Sequence, residues 1–237
     1  MIPRRRPLLF VPSAKRRGAS WYTHRMTTTT FPATVRVPTG DKFAPHRVSA
    51  DEYLVIDNVA ERGSEFINGV IIAREATTEN HVRITVNLLC ESVRQIGERD
   101  YFPFFSQMRV RVGSDYHYPD AGIVCGETQC DAGSHTLTNP TVLVEVLSDT
   151  TEHVDRGVKL KHYLRLPSLR TYLLVAQDTP IVEQYERTDT GEWRFRLVEG
   201  VDATVELPAV ACRLALADIY RRVTFPESIP EPVEPAA

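Results

Sequence analysis

The feature that most constrains the fold is a short run, residues 141–147, that is apolar except for one acid, Glu145. Successive side chains of a strand point to opposite faces, and both faces are apolar here. Such a strand is buried on both sides, so it lies inside a sheet covered by two layers. With 237 residues, 42% of them hydrophobic, the chain can bury that core. We therefore predict one globular domain and exclude a fibre or a disulfide knot.

Charge is distributed unevenly along the chain. The first 25 residues carry seven arginines or lysines and no acid, which leaves residues 26–237 with a net charge of -10. This negative charge on residues 26–237 argues against tight, sequence-independent binding of a nucleic-acid duplex through a basic surface. Either the basic segment is a nucleic-acid arm or translation starts at Met26. We predict a disordered basic extension (1–45), one domain (46–223) and a disordered Pro/Glu-rich tail (224–237).

The sequence also indicates a compartment. No run approaches the roughly 20 apolar residues of a membrane-spanning helix, and the N-terminus is not a convincing signal peptide. The four cysteines do not form a secreted disulfide pattern, so we predict a reducing cytoplasm. Cys125 and Cys130 could form half of a zinc site, but no second pair at suitable spacing follows. We expect no membrane association and no small-molecule cofactor.

Periodicity and turn signals predict a mixed order of helices and strands. Ser49 and Glu52 form a capping box that starts a short helix, and Asn68-Gly69 predicts a hairpin turn. Helical spacing of Val82, Val86, Leu89, Val93 and Ile96 predicts an amphipathic helix over 79–98. The remaining predictions are a hairpin over 108–125, a helix over 152–166 and strands over 171–176, 181–187 and 193–198.

Glu145 is the most informative residue. An unpaired ionised carboxylate costs several kcal/mol to bury, so Glu145 must be protonated, paired or bound to a cation. From this residue alone, a buried ion pair with an arginine and a functional site are equally supported. Asp120, which follows Pro119, is by itself ordinary turn chemistry. On strands neighbouring each other, however, Asp120 and Glu145 could share a hard divalent cation.

Asp155, Lys159 and Tyr163 follow at intervals of four residues and share one face of the predicted helix. A surface ion pair above a packed tyrosine would explain them. Lysine is nevertheless scarce, since the chain has 4 lysines and 24 arginines. An ammonium beside a metal-held water and a phosphate could position the nucleophile.

Five further residues are weaker candidates. Glu65 is an acid near the predicted hairpin turn. Arg109 and Arg111 share a strand face and could contact phosphates, although a solvated face is an equal alternative. His81 is interpreted as a capping-region or packing histidine, and His117 could be inert.

Seven segments in this order resemble one known family, at residues 46–54, 65–69, 108–112, 118–120, 144–148, 155–159 and 163–169. They are similar to the Uma-two family, a bacterial group described as restriction endonucleases within the PD-(D/E)XK nuclease superfamily. The likeness covers about residues 46–223. It implies an α/β (α+β) fold: a restriction-endonuclease-like mixed β-sheet core flanked by helices, with extra C-terminal antiparallel strands.

The resemblance also implies roles for individual residues. Asp120 matches the metal-binding aspartate, Glu145 matches its acidic partner, and Glu65 matches an acid that assists the metal site. Leu147 stands where many superfamily members have a lysine, which in this family is displaced to Lys159. Asp155 and Tyr163 would be its supporting neighbours.

We therefore predict a cytoplasmic endonuclease that hydrolyses DNA, with Mg²⁺ as cofactor and Mn²⁺ as a substitute. Asp120, Glu145 and Lys159 would be catalytic, and a homodimer would suit double-strand cutting. The alternative is a catalytically inactive nuclease-fold module that binds nucleic acid or a protein partner, which the acidic body favours modestly.

Overall fold

The computed structural model describes residues 47–74, 76–131 and 135–226. The predicted basic extension and residues 227–237 of the predicted tail lie outside this part. The helices are α1 (Ala50–Asp57), α2 (Glu79–Ile96), α3 (Glu152–Val154), α4 (Leu160–Tyr163) and α5 (Leu216–Ile219), with a π-helical turn over Asp155–Lys159 and a 3-10 turn over Pro208–Val210. The strands are β1 (Ser64–Ile67), β2 (Val70–Ala73), β3 (Tyr101–Phe105), β4 (Val110–Val112), β5 (Asp115–His117), β6 (Ala121–Cys125), β7 (Val142–Val146), β8 (Thr171–Val175), β9 (Ile181–Arg187), β10 (Trp193–Glu199), β11 (Thr204–Leu207) and β12 (Cys212–Ala215).

A six-stranded mixed sheet forms the centre, in the order β10-β9-β8-β7-β6-β3. β7 and β8 run parallel, whereas the other neighbours are antiparallel. All five residues of β7 are buried, as the doubly apolar sequence predicts. The predicted fold class, a mixed sheet flanked by helices, is therefore confirmed.

Apolar layers cover both faces of this sheet. Val142, Val144 and Val146 face a core shared with α2, α5 and the β11–β12 hairpin. Leu143 lies on the opposite face, in a core that includes Tyr163 of α4. Glu145 alternates with Leu143, so its carboxylate enters this second layer.

The predicted apolar face of α2 was largely wrong. Val82, Val86 and Val93 are each about half exposed, whereas Ile84 and Leu88 are buried. Both sets recur at helical spacing, so periodicity alone could not decide between them. The sheet determines which set is covered, because α2 packs its Ile84 side into the first core.

The predicted hairpin over 108–125 is interrupted before Asp120. β5 belongs to a four-stranded sheet of order β2-β1-β5-β4, whereas β6 belongs to the central sheet. Pro119, which has no N–H to donate, lies where the chain leaves one sheet for the other. Asp120 is thereby placed at the junction of the two sheets, immediately before β6.

The β1–β2 hairpin brings Glu65 to the same region. Asn68 and Gly69 form its turn with φ of 52° and 83°, the positive values that a type I′ turn requires. The predicted turn is therefore confirmed. Glu65 lies on β1 and is buried despite its charge.

A crossover helix, composed of α3, the π-helical turn and α4, joins β7 to the parallel strand β8. The predicted helix is confirmed and begins at Glu152 as predicted, but it ends at Tyr163 rather than at residue 166. Just before this helix, the hydroxyl oxygen of Ser148 accepts a hydrogen bond from the N–H of Thr151. The π-helical turn, a rare feature that often marks functional sites, carries both Asp155 and Lys159.

No helix in the described ranges is long and apolar enough to cross a membrane.

We predict that Gly122→Ala destabilises the protein. A Cβ there would lie 2.3 Å from Cζ of Phe104 and 2.8 Å from the carbonyl oxygen of Val142. Overpacking of this kind costs about 1–3 kcal/mol, which urea unfolding would measure. Gly157→Ala is the control, because a Cβ there meets nothing within 4 Å and alanine favours helix. Equal stability of the two variants would contradict this packing.

Candidate active site

A cavity of about 340 Å³ opens among the β1–β2 hairpin, the start of α2, the end of β7 and the crossover helix. Its wall collects acids from separate parts of the chain: Glu65, Asp120, Glu145, Asp149 and Asp155. Four of these five were predicted site residues, and the predicted Lys159 also lines the cavity. The fold thus gathers the predicted catalytic residues around one space.

Lys159 is the centre of the charge cluster. Its Nζ lies 2.9 Å from Oε1 of Glu65, 3.1 Å from Oε1 of Glu145 and 2.9 Å from Oδ1 of Asp155. The lysine is only 6% exposed. The surface ion pair considered for Asp155 and Lys159 is therefore wrong. The π-helical turn points both side chains inward, where the ammonium meets acids from β1 and β7.

Glu145 is held by the crossover helix. Its Oε1 accepts hydrogen bonds from Nζ of Lys159 and from the hydroxyl of Tyr163 at 2.9 Å. The partner of this buried glutamate is thus a lysine and a tyrosine rather than an arginine. Asp155, Lys159 and Tyr163 share one face, as their spacing predicts.

Asp120 is fixed from two sides. Its Oδ2 accepts the backbone N–H of Val146 at 2.8 Å and lies 3.0 Å from Nε2 of His81. Because Ala121 pairs with Val144, Asp120 comes beside Glu145 on the neighbouring strand. Among the described residues, neither Oδ1 of Asp120 nor Oε2 of Glu145 has a hydrogen-bond partner, so each acid keeps one acceptor.

The site carries more negative than positive charge. Burial raises the pKa of Glu145 well above its usual range, Asp155, Asp120 and Glu65 raise it further, and Lys159 opposes them. Burial alone would lower the pKa of Lys159, but the surrounding carboxylates raise it well above its usual value. Lys159 therefore stays charged, and the remaining negative charge favours a further proton or cation.

The acids of the cavity could hold a hydrated Mg²⁺, which needs fewer protein ligands than a metal ion coordinated entirely by side chains. Within ranges 47–74, 76–131 and 135–226, no group of three or more His, Cys, Asp or Glu residues is arranged to hold a metal. Mg²⁺ is usually bound by one or two carboxylates and keeps several waters. Asp120 and Glu145 offer two hard oxygens in a cavity large enough for water. Cys125 and Cys130 are free thiols, and the residues that the structure describes form no zinc-type cluster around them.

His81 lies at the candidate site, although its position in the sequence indicated only a capping-region or packing role. Its backbone N–H is bonded to Oγ1 of Thr78, the N-cap of α2, so its position near the cap is as expected. Its ring, however, faces the cavity and contacts Asp120. Only its place in the first turn of a helix was visible in the sequence, and the approach of that turn to Asp120 is tertiary.

The two predicted phosphate-contacting arginines do not share an environment. Arg109 is 5% exposed, and its NH1 lies 2.7 Å from Oδ2 of Asp57. A phosphate could reach Arg109 only after this internal pair opens. Arg111 is exposed and pairs with Asp131 at 3.1 Å. The predicted common solvated face is therefore wrong, because Asp57 and Asn58 at the end of α1, together with Thr136, enclose Arg109.

A histidine pair lies behind the site. Nε2 of His117 is 3.3 Å from Nδ1 of His162, and the latter is 3.3 Å from Oδ2 of Asp115. Burial lowers the pKa of both histidines, and the charge of Lys159 lowers that of His117 further. Both rings are therefore neutral near pH 7, and they join β5 to the crossover helix.

Comparison with known proteins agrees with this architecture. A family model described as "Putative restriction endonuclease" matches residues 50–217. The chain belongs to this family, Uma2. The resemblance to Uma-two proteins is thereby confirmed, and the family description supports a nuclease-like function.

Three similar proteins extend the comparison. Uncharacterized protein sll1609 of Synechocystis sp. is 34% identical over 67% of this chain and 92% of its own. Uncharacterized protein slr1290 of the same organism is 28% identical over 76% of this chain and 94% of its own. A crystal structure titled as "a putative nuclease belonging to DUF820" from Anabaena variabilis has a TM-score of 0.62 at 20% identity, covering 73% of this chain and 97% of that one. This structural likeness supports the fold.

We predict that Lys159→Met destabilises the protein by about 3–5 kcal/mol, because it leaves buried carboxylates without their ammonium. Without Lys159, Glu145 has a folded pKa raised still further above its ordinary value of 4.5. A group with a raised pKa contributes stability that is lost as pH rises. The difference in free energy of unfolding between wild type and Lys159→Met should therefore grow from acid to neutral pH. Urea unfolding across that range would measure it. Lys161→Met, at an exposed neighbour, should change little, and an equal effect would contradict the buried cluster.

We predict that Asp57→Asn also costs about 3–5 kcal/mol, because it leaves Arg109 buried without its counter-charge. Burial would raise the pKa of Asp57, but hydrogen bonds from Tyr118, Ser64 and Arg109 lower this pKa below its ordinary value of 3.8. A group with a lowered pKa contributes stability that is lost as pH falls. The difference in free energy of unfolding between wild type and Asp57→Asn should therefore narrow in acid. Arg111→Gln is the control at the exposed pair and should cost at most about 1 kcal/mol.

Proposed function

We propose that this Uma2 protein is a Mg²⁺-dependent endonuclease that hydrolyses phosphodiester bonds in DNA, with Mn²⁺ as a substitute. The observation that carries the proposal is the cavity in which Asp120 and Glu145 each keep one acceptor oxygen beside a buried, charged lysine. This group of charges would be unfavourable if it served only for packing, because five carboxylates line the cavity and a single ammonium pairs with three of them. It is favourable once a cation is present.

Asp120 and Glu145 would hold the cation, with Glu65 assisting from β1. A bound Mg²⁺ would supply Lewis acidity, which polarises a phosphate and lowers the pKa of water. The other residues keep this pair in place. Val146 and His81 fix Asp120, and Tyr163 fixes Glu145.

Lys159 would orient the nucleophile and stabilise negative charge that develops on the phosphate. Three carboxylates hold its ammonium charged and fixed in direction. A group that is already oriented need not reorganise during the reaction, which is what makes such electrostatic stabilisation effective. Asp155 acts through Lys159 and is a positioning residue.

The quaternary state and compartment belong to the same proposal. Cutting both strands of a duplex suits a homodimer, because two copies provide two sites related by a twofold axis. We also place the enzyme in the cytoplasm. Sedimentation velocity of the full chain, with and without duplex DNA, would measure the oligomeric state.

We predict that Asp120→Asn and Glu145→Gln each abolish DNA cleavage while the protein stays folded. The amide oxygens can still accept the bonds from Val146 and Tyr163, but the charge that holds a cation is lost. Mg²⁺ should raise the melting temperature of wild type, since a ligand of the native state stabilises it by about 2.7 kcal/mol at 100 times its Kd. The rise should be absent in both variants. Plasmid cleavage and thermal unfolding under Mg²⁺ and Mn²⁺ titration measure these effects.

Asp202→Asn, at an exposed turn away from the cavity, is the matched control and should behave as wild type. Full cleavage by both site variants would refute the site assignment. A wild type that neither cleaves DNA nor responds to the cations would instead favour the non-catalytic nuclease-fold module.

A further inference from the structure

The cavity wall contains little positive charge for a site that would receive a polyanion. Arg74 and Lys159 are its only arginine or lysine among the described lining residues. Lys159 is already engaged by three carboxylates. Arg74 has no carboxylate within ion-pair distance in the part of the chain that the structure describes. Among the described residues, Arg74 therefore carries the one arginine or lysine charge on this wall that no acid neutralises.

Arg74 is nevertheless held in place. Its NH1 donates a hydrogen bond to the carbonyl oxygen of Ser106 at 2.9 Å. Its guanidinium also lies over the ring of Tyr118, with Cζ 5.1 Å from the ring centroid. A guanidinium stacked on an aromatic ring gains a cation–π attraction and loses rotational freedom.

Both supports of Arg74 are themselves fixed. The N–H of Ser106 donates to the carbonyl oxygen of Asp120 at 3.1 Å, which ties the arginine's anchor to a proposed cation ligand. The hydroxyl of Tyr118 donates to Oδ2 of Asp57 at 2.6 Å. Gly63 backs the same ring so closely that a Cβ there would lie 2.7 Å from it. The position of Arg74 relative to Asp120 is thus built into the fold.

The remaining donors of Arg74 suit an anion. Only NH1 has a hydrogen-bond partner within the described ranges, which leaves Nε–H and NH2 for a ligand. These two groups lie on one edge of the planar guanidinium, the geometry that binds phosphate oxygens in pairs. Arg74 and Asp120 line the same cavity, so a phosphodiester bound beside Asp120 would share this space with the arginine.

We propose that Arg74 is a substrate-binding residue that contacts non-bridging oxygens of a DNA backbone phosphate at the mouth of the cavity. This inference rests on the proposed nuclease function and adds the group that offsets phosphate charge in an acidic site. Contacts to phosphates position a nucleic acid without reading its sequence. Arg74 therefore contributes equally to binding of different sequences.

The test measures DNA binding separately from catalysis. Binding of fluorescein-labelled oligodeoxynucleotides, single-stranded and duplex, is followed by anisotropy in EDTA over a series of salt concentrations. Arg74→Gln should weaken binding on the order of tenfold, as loss of one charge-assisted contact does, and reduce the salt slope by about one. With Mg²⁺ it should raise KM more than it lowers kcat.

Two further variants serve as controls. Arg74→Lys keeps the charge but not the paired donors, so it should retain the salt slope while KM rises. Arg94→Gln removes an exposed charge at the far end of α2, where Arg94 pairs with Glu91, and should behave as wild type. Melting curves of all variants establish that they are folded.

The outcomes separate this inference from the function on which it rests. Unchanged binding, salt slope and KM in folded Arg74→Gln, with wild-type cleavage intact, would overturn the role of Arg74 alone. Equal losses in Arg74→Gln and Arg94→Gln would also overturn it, because the effect would then reflect overall charge. A wild type that neither binds nor cleaves DNA would overturn both proposals.

Discussion

The buried contact between Lys159 and three carboxylates is the interaction on which the rest of the site depends. Glu65, Glu145 and Asp155 come from a hairpin, a central strand and a crossover helix, and one ammonium joins them. Each acid would be costly to bury alone, so the lysine links the positions of all three elements. The π-helical turn makes this possible, because it carries both Asp155 and Lys159 toward β7.

Asp120 completes the site from a different structural origin. It lies where the chain passes from the smaller sheet to the central one, and a backbone N–H of β7 orients its carboxylate. The proposed catalytic groups thus have two rigid supports, one ionic and one made of sheet hydrogen bonds. Groups held in this way can act electrostatically without reorganising, which is the property that hydrolysis of a phosphodiester needs.

Several acids of the domain lie together at the candidate active site. Five of the acids that make the domain negative line one cavity, where Asp120 and Glu145 would hold a cation. Arg109, which looked like a phosphate contact, is committed to Asp57 inside the protein. Arg74, to which no sequence signal pointed, is the cavity's one arginine or lysine without an ion pair in the described ranges. Burial rather than residue type therefore decides which arginine can meet a substrate.

The sequence by itself determined the central strand, the Asn68-Gly69 turn and the crossover helix, because these follow from local alternation and turn chemistry. The family resemblance implied a joint role for Asp120 and Glu145, and the strand register placed the two residues side by side. It also placed Asp155, Lys159 and Tyr163 on one face through their spacing. The buried face of α2 and the break at Pro119 were decided by packing between sheets, since two stripes or two pairings fit the local pattern equally well. The roles of His81 and Arg74 were likewise decided only by tertiary structure, because contacts between residues distant in the chain leave no periodic signal.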